Sequence, residues 1–385
     1  MFSISGRSEV EPFHAMDVLA EATRRSAAGR PVISLAVGQP SHPAPRAALE
    51  AAQAALAAGR LGYTDALGLS QLRKNLSRHY EVRYGLSVDP ARIALTTGSS
   101  AAFNLAFLTL FDVGDAVAIA RPGYPAYRNI LKALGLRVIE VPVSAETHFT
   151  LTPESLEAVQ REAGHRIKGV LLASPANPTG TVTGRAALET LTSYCDRNSI
   201  AFISDEIYHG LTFEGQETSA LELTDEAIVI NSFSKYYCMT GWRIGWMILP
   251  ERLVRPIERV AQSLYISPPE LSQIAAGAAL TSTAELEQFK ASYAQSRSYL
   301  LRRLGEIGLD LGSPMDGAFY AYLDVSRFTN DSMDFARRML IDIDVATTPG
   351  LDFDPVEGHR TIRMSYAGSP EDIEEAVERI ASWLA

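Results

Sequence analysis

Residues 169–208, GVLLASPANPTGTVTGRAALETLTSYCDRNSIAFISDEIY, decide the fold of this chain. The stretch opens with a short apolar run at 169–173 and continues through a loop rich in Pro, Gly and Thr. A helical pattern follows at 185–197, and a second run of branched and aromatic residues lies at 201–204. A strand, a helix and a strand in this order are typical of a βαβ unit, which is built around two parallel strands.

The same alternation extends in both directions, from about residue 90 to residue 250. Gly or Pro lies at most of the junctions, as turn chemistry requires. The predicted strands are 92–96, 116–120, 138–141, 169–173, 201–204, 228–231 and 244–249, and the predicted helices between them are 100–111, 125–134, 153–162 and 185–197. We therefore predict an α/β fold with a mostly parallel seven-stranded sheet that is flanked by helices.

Both ends of the chain differ from this central part. We predict a smaller α/β domain built from both ends, because the first residues carry a helical and a strand pattern that should pack with the C-terminal part. The patterns are a helix at 15–28, a strand at 31–37, long helices at 252–263 and 269–304, and a βαβ-like tail at 318–323, 334–340 and 361–366. The predicted division is an N-terminal arm with part of the small domain at 1–45, a large domain at 46–265 and the rest of the small domain at 266–385.

Composition excludes several classes of protein. The 385 residues are 21% charged, and no apolar run approaches the ~18 residues of a membrane helix. Charged residues appear within the first ten positions, before an apolar signal region could form, so we expect a cytoplasmic protein. A net charge of −10 argues against a nucleic-acid partner. The two cysteines cannot form a zinc site, and the histidines lack ligand spacing, so no metal is predicted.

Three polar motifs follow predicted strands. TTGSS at 96–100 precedes a helix, so its free N–H groups could donate to a bound anion, or the segment could simply be the N-cap of the helix. In SDEIY at 204–208, Asp205 could contact a cation, a metal or a protonated ring nitrogen, or cap the next segment. In NSFSKY at 231–236, Lys235 is either a Schiff-base nucleophile or a solvated surface lysine.

SFSK at 232–235 also satisfies the S-x-x-K pattern of serine acylating enzymes, but the accompanying K-T-G and S-D-N motifs are absent. The chain has no G-x-S-x-G, Walker or G-x-G-x-x-G motif, which argues against the usual hydrolases, nucleotide triphosphatases and dinucleotide enzymes.

Taken in order, the motifs resemble the class I/II aminotransferases, which are pyridoxal-phosphate enzymes of fold type I in the aspartate aminotransferase superfamily. The resemblance covers nearly the whole chain. It rests on GQP (38–40), YT (63–64) with Gly68, LR (72–73), TGS (97–99), PGYPAY (122–127), NPTG (177–180), SDEIY (204–208), SFSK (232–235), GWRIG (241–245) and RMS (363–365).

The resemblance implies a role for each motif. Lys235 would be the Schiff-base lysine and proton carrier, with Asp205 on the pyridine nitrogen, and Asn177 and Tyr208 on the phenolic oxygen of pyridoxal 5′-phosphate. Tyr124 would stack on the cofactor ring. The phosphate would be held by Ser99, Ser100, Ser232, Arg243 and Tyr63, the last reaching across a homodimer to the partner subunit's cofactor. The substrate α-carboxylate would bind Arg363, helped by Asn177 and the backbone at Gly38.

The chain departs from the family pattern at SHP (41–43) and at FDPVEG (353–358), two segments that border the substrate pocket in the family. The resemblance therefore implies a ping-pong aminotransferase that acts on an amino acid and a 2-oxo acid, with 2-oxoglutarate as the expected acceptor, and leaves the amino donor open. The alternatives are a C–S β-lyase of the same fold, which the same lysine would serve, and a transcription regulator with an aminotransferase-like domain. The regulator would need a DNA-binding module before the family match, which here begins by Gly38.

Overall fold

The computed structural model describes residues 3–385, in which helices and strands alternate through the central part of the chain. The helices are α1 (His14–Ala27), α2 (Arg46–Ala58), α3 (Ser70–Tyr84), α4 (Gly98–Leu110), α5 (Pro125–Ala133), α6 (Pro153–Ala163), α7 (Arg185–Arg197), α8 (Glu251–Leu264), α9 (Glu270–Ala279), α10 (Thr283–Glu306), α11 (Ser332–Ile343) and α12 (Pro370–Leu384). The strands are β1 (Ile33–Ser34), β2 (Ile93–Thr96), β3 (Ala116–Arg121), β4 (Arg137–Pro142), β5 (Ile167–Ala173), β6 (Ala201–Asp205), β7 (Ile228–Ser232), β8 (Gly245–Ile248), β9 (Asp310–Leu311), β10 (Tyr320–Asp324), β11 (Val345–Ala346), β12 (Thr348–Pro349) and β13 (Thr361–Ser365).

The large sheet has seven strands in the order β2-β8-β7-β6-β5-β3-β4. Only β8 runs against its neighbours β2 and β7, and the other pairs are parallel. Every residue of β7 and β8 is buried, as expected for strands that helices cover on both faces. The prediction of a mostly parallel seven-stranded sheet flanked by helices is confirmed.

Three predictions outside this sheet are wrong. The single helix at 269–304 is two helices, α9 and α10, which are separated at residues 280–282. The strand at 31–37 shortens to β1, whose partner β11 is only two residues long. The tail is not βαβ-like, since β10 and β13 pair directly in antiparallel register.

Both ends of the chain contribute to a second body of structure. The short strand β1 pairs in parallel with β11, and the N–H of Ser365 donates to the carbonyl of Leu35 at 2.7 Å. A four-stranded sheet in the order β12-β13-β10-β9 lies beside this pair. The boundaries at 45/46 and 265/266 stay a prediction. Across residues 3–385, no helix has the length and apolar character that crossing a bilayer requires.

The large sheet determines where the polar motifs meet. Strands β2, β3, β5, β6 and β7 point the same way, so the loops after their carboxyl ends share one edge of the sheet. Each of the motifs TTGSS, PGYPAY, NPTG, SDEIY and SFSK lies at the end of one of these five strands. This edge faces the body built from the chain ends, and the cleft between them contains the candidate site.

Candidate active site

The cleft is lined by residues from both bodies of structure. Ten of the twelve residues predicted from the sequence line it, although their roles stay predictions: Gly38, Ser99, Ser100, Tyr124, Asn177, Asp205, Tyr208, Lys235, Arg243 and Arg363. Side chains that the sequence did not single out complete the lining, among them Phe13, Met16, Tyr127, Ser234 and Tyr320.

Lys235 lies in the loop between β7 and β8, and its Nζ donates to the carbonyl of Gly38 at 2.6 Å. Burial, followed by the nearby charges of Arg363 and Arg243, lowers the pKa of Lys235 to about 8, while Asp205 opposes the shift. A freely solvated surface lysine is therefore the wrong description. A lowered pKa leaves more of the amine neutral, and a neutral amine is the nucleophilic form.

Asp205 ends β6 and is 3% exposed. Its carboxylate accepts a hydrogen bond from the hydroxyl of Tyr127 and another from the N–H of Ile207 at 3.1 Å. Burial raises the pKa of Asp205 to about 6, and these two hydrogen bonds oppose the shift. Neither hydrogen-bond donor is a cation, so the buried carboxylate is suited to a positively charged N–H group from a ligand.

The N-terminus of α4 forms an anion-binding corner with Arg243. Thr97 is the N-cap residue, but its side chain makes no capping hydrogen bond, so the N–H groups of the first turn keep no side-chain partner there. The Arg243 guanidinium lies so close that a Cβ on Gly98 would be 2.5 Å from its Nη2. Because Gly98 also has φ +73°, glycine suits this position for two reasons. A dianion is the natural ligand for such a corner.

Arg363, on β13, is 3% exposed, so the surface-arginine interpretation is wrong. It donates from Nη1 to Asn177 Oδ1 at 2.8 Å and from Nη2 to the carbonyl of Ala36 at 2.5 Å. The guanidinium carbon lies 4.4 Å from the ring centre of Tyr320 and 4.5 Å from that of Phe353. Its Nε has no hydrogen-bond partner, so the fixed guanidinium keeps capacity for a carboxylate.

Tyr208 and Tyr320 face each other across the cleft, with their hydroxyl oxygens 2.7 Å apart. Burial raises the pKa of Tyr208, so its hydroxyl stays protonated and can donate. A Cβ on Gly38 would lie 1.7 Å from the Tyr320 hydroxyl, which explains why the loop after β1 has glycine here. The only sequence signal for Tyr320 is its place in an apolar strand pattern, which does not separate it from a core tyrosine.

The spacing of Tyr127 from Tyr124 in the sequence indicates that both side chains reach the cleft. Tyr127 is three residues after Tyr124 in the PGYPAY motif, and residues three apart at the start of a helix share one face. The rings of Tyr124 and Tyr127 meet edge to face at 5.2 Å, so both reach the cleft from the start of α5.

Two predicted residues do not line the cleft. The hydroxyl of Ser232 donates to the carbonyl of Ile244 at 3.0 Å, and the neighbouring Ser234 lines the cleft instead. Tyr63 is 84% exposed and lies on a separate surface with Leu61 and Pro269. A single chain therefore does not bring Tyr63 into its own cleft.

Comparison with known proteins adds an independent line of information. Residues 30–380 match the family model for aminotransferase class I and II. A valine–pyruvate aminotransferase from Mycobacterium tuberculosis is 47% identical over 382 residues, 98% of this chain and 97% of that protein. An aspartate/prephenate aminotransferase from Thermus thermophilus is 34% identical over 381 residues, 97% of each chain. The crystal structure of an aminotransferase from Mycobacterium tuberculosis gives a TM-score of 0.97 at 47% identity and covers 100% of this chain and 99% of that one.

Proposed function

The chain belongs to the class I and II aminotransferases of fold type I, and we propose that it uses pyridoxal 5′-phosphate to transfer an amino group from an L-amino acid to a 2-oxo acid by a ping-pong mechanism. The observation that carries the proposal is the convergence of Lys235, Asp205 and the α4–Arg243 corner in one cleft. This set of donors and acceptors fits the cofactor. An amine, a buried carboxylate and an anion corner match its aldehyde, its ring nitrogen and its phosphate.

When bound, the cofactor supplies an electron sink for the bonds at the substrate Cα. The chain's own residues provide binding and proton transfer. Asp205 would accept a hydrogen bond from the protonated ring nitrogen, and the Lys235 amine would accept the proton from the substrate Cα and later donate it as a general acid. Arg363 would bind the substrate carboxylate. Asn177 accepts a hydrogen bond from the Arg363 guanidinium and so keeps this group in place.

The part of the lining that comes from residues 13–37 favours apolar substrate side chains. Phe13, Ala15, Met16 and Val37 contribute aliphatic and aromatic surface. Besides Lys235, the cationic side chains in the lining are Arg243 and Arg363, which the proposal assigns to the phosphate and the α-carboxylate. A second substrate carboxylate would then have no cation from this chain. We therefore propose pyruvate as acceptor, in place of the expected 2-oxoglutarate, and an aliphatic donor such as valine, in line with the name of the relative from Mycobacterium tuberculosis.

A panel assay tests this proposal. The purified protein is incubated with each of the twenty amino acids and either pyruvate or 2-oxoglutarate, and the oxo acid formed from the donor is measured by mass spectrometry. We expect valine with pyruvate to be among the fastest pairs and Lys235→Ala to abolish turnover. Turnover of amino acids with 2-oxoglutarate but not with pyruvate would refute the substrate assignment. Pyruvate release from cystathionine without an acceptor, and no transfer with any pair, would indicate the C–S lyase.

We also propose a homodimer with shared sites. The N–H of Gly62 donates to Glu270 Oε2 at 2.6 Å, so the loop that carries Tyr63 rests on the start of α9. Its surroundings are apolar and open, since Leu61 is 44% exposed and Ile266 is 53% exposed. Covering this surface with a second copy would bury those side chains and direct Tyr63 towards the partner's cleft.

Subunit mixing tests the shared site. Tyr63→Phe should weaken cofactor binding on its own, and Lys235→Ala should be inactive on its own. In a hybrid of these two subunits, one of the two clefts has both wild-type residues, so activity should return on mixing. A fully active monomer in light scattering at the assay concentration would refute the shared site.

A further inference from the structure

Residues 350–354, with the sequence GLDFD, connect several walls of the cleft, and we call this segment the clasp. It follows β12 and includes the start of the FDPVEG stretch that departs from the family pattern. The ring of Phe353, 1% exposed, packs on the guanidinium of Arg363. The clasp therefore touches the residue that we assign to the substrate carboxylate.

The clasp also holds the loop and helix that carry Tyr124. The N–H of Gly123 donates to the carbonyl of Phe353 at 3.0 Å, and Arg128 Nη2 donates to the carbonyl of Asp352 at 3.0 Å. These two backbone carbonyls bind the start of α5 to the second body of structure.

The carboxylate of Asp352 caps the N-terminus of α1. Its two oxygens accept the backbone N–H groups of His14 at 2.9 Å and of Ala15 at 3.0 Å, at the start of α1. A helix usually takes such a cap from a Ser, Thr, Asp or Asn at its own N-cap. Here the N-cap is Phe13, which has no capping group, so the cap comes from a residue 338 positions away.

Asp352 is 2% exposed, so its carboxylate loses hydration free energy on burial, and water has little access to replace it as the cap. Burial raises the pKa of Asp352, and the N–H groups of Ala15 and His14 oppose that shift. A buried carboxylate that accepts two backbone hydrogen bonds fixes the position of the turn that donates them.

The turn that Asp352 holds forms part of the cleft. Phe13, Ala15 and Met16 line it, and the ring of Phe13 meets that of Tyr124 edge to face at 5.8 Å. The other end of α1 is held separately, because Arg25 donates to Asp344 at 3.0 Å and Ala22 packs in a small apolar cluster. Loss of the Asp352 cap would therefore release the first turn of α1 and leave the rest of the helix in place.

We propose that Asp352 is a positioning residue that holds the first turn of α1 against the cleft, and that recognition of the substrate side chain depends on this turn. The part about substrates rests on the aminotransferase function proposed above. Donors with branched side chains would contact Phe13 and Met16, whereas alanine, with one methyl group, would contact them less. Cofactor binding would be independent of the Asp352 carboxylate, because the clasp holds the Tyr124 segment through the backbone carbonyls of Phe353 and Asp352, which a side-chain substitution keeps.

The first experiment needs no turnover. Hydrogen exchange is followed by mass spectrometry in peptides covering residues 10–20 and 20–27 of the wild type, Asp352→Ala and Asp352→Asn. In Asp352→Ala we expect exchange at the start of α1 to accelerate about tenfold, with no change beyond residue 20. Asp352→Asn keeps one acceptor oxygen, so its exchange rate should lie between those of the wild type and Asp352→Ala. Unchanged exchange in Asp352→Ala would overturn the proposed cap.

The second experiment is kinetic and has a matched control. Thr152→Ala removes the side-chain cap of α6, whose hydroxyl accepts the N–H of Ser155 at 3.2 Å, outside the cleft. With isotopically labelled pyruvate as acceptor, so that alanine can also be assayed as donor, we expect KM for valine in Asp352→Ala to rise about tenfold. KM for alanine should change about threefold at most, and the cofactor Kd should stay constant. Thr152→Ala should lower the melting temperature without changing either KM.

The outcomes separate the two proposals. Equal losses for valine and alanine, or a weakened cofactor, would refute the positioning role even if exchange accelerates. Absence of turnover in the wild type would refute the proposed function, and the exchange experiment would still decide whether Asp352 holds the turn.

Discussion

The pKa of Lys235 gives a direct test of the electrostatics of the cleft. A shift from 10.5 to about 8 corresponds to about 3 kcal/mol in favour of the neutral amine. At pH 7, roughly 10% of the amine is then neutral, against ~0.03% for an unshifted lysine, a difference of about 300-fold. Burial is the largest cause and the charge of Arg363 is the second, so Arg363→Gln should raise the pKa while leaving it below 10.5.

Trace acetylation measures this quantity, because only the neutral amine reacts. Cofactor-free protein is labelled with a small amount of isotopic acetic anhydride between about pH 6 and about pH 11, and the extent at each lysine is read by mass spectrometry. The chain has four other lysines, at 74, 132, 168 and 290, which serve as internal references. Labelling of Lys235 should rise with pH and level off above about 8, and in Arg363→Gln the whole curve should move to higher pH.

Two results would refute this reasoning. A midpoint for Lys235 at or above that of the reference lysines would mean that the cleft does not disfavour its charge. An unchanged midpoint in Arg363→Gln would mean that Arg363 does not act on the amine through its charge.

Three further substitutions test the other groups of the cleft. Asp205→Ala should lower kcat by about 100- to 1000-fold while the folded protein keeps its melting behaviour, and near wild-type kcat in a steady-state assay would contradict its role on the ring nitrogen. In Arg363→Lys the ammonium cannot bind a substrate carboxylate bidentately, so KM for both amino acid and oxo acid should rise about 10- to 100-fold. The cofactor Kd from fluorescence titration should be unchanged. Gly98→Ala places a Cβ 2.5 Å from Arg243 Nη2 at φ +73°, so the cofactor Kd should rise about tenfold or more. Wild-type affinity in that variant would argue against a phosphate at the α4 corner.

The sequence predicts the large sheet well because each strand carries its own signal. Strands such as β7 are buried on both faces, so they are short continuous apolar runs, and the polar loops at their ends are equally visible. The break between α9 and α10 is not visible in the sequence, because residues 280–282 are Leu, Thr and Ser, and neither Gly nor Pro marks it. Short pairings such as β1 with β11 have too few residues to form a pattern.

The parts of the site that escaped prediction are contacts between distant segments. The cap that Asp352 provides for α1 has no counterpart in the local sequence, since Phe13 is not a capping residue. The approach of Tyr320 to Gly38 likewise depends on how two bodies of structure meet. The role predicted for Arg363 comes from the resemblance to the family. Its local sequence alone favours a surface arginine on a strand. Only the fold brings its partners Ala36 and Asn177 to it.

The pairing of β1 with β11 has a consequence for synthesis of the chain. Ile33 pairs with Val345, 312 residues later, and a ribosome adding roughly 5–20 residues per second needs about 15–60 s to make that stretch. During this interval Leu35 and Ala36, both buried in the finished protein, have no partner strand. Arg363 is made later still, so a nascent chain that already carries Lys235 lacks the residue that we propose as the carboxylate anchor. Truncated products should therefore be both catalytically silent and prone to association through the unpaired N-terminal segment.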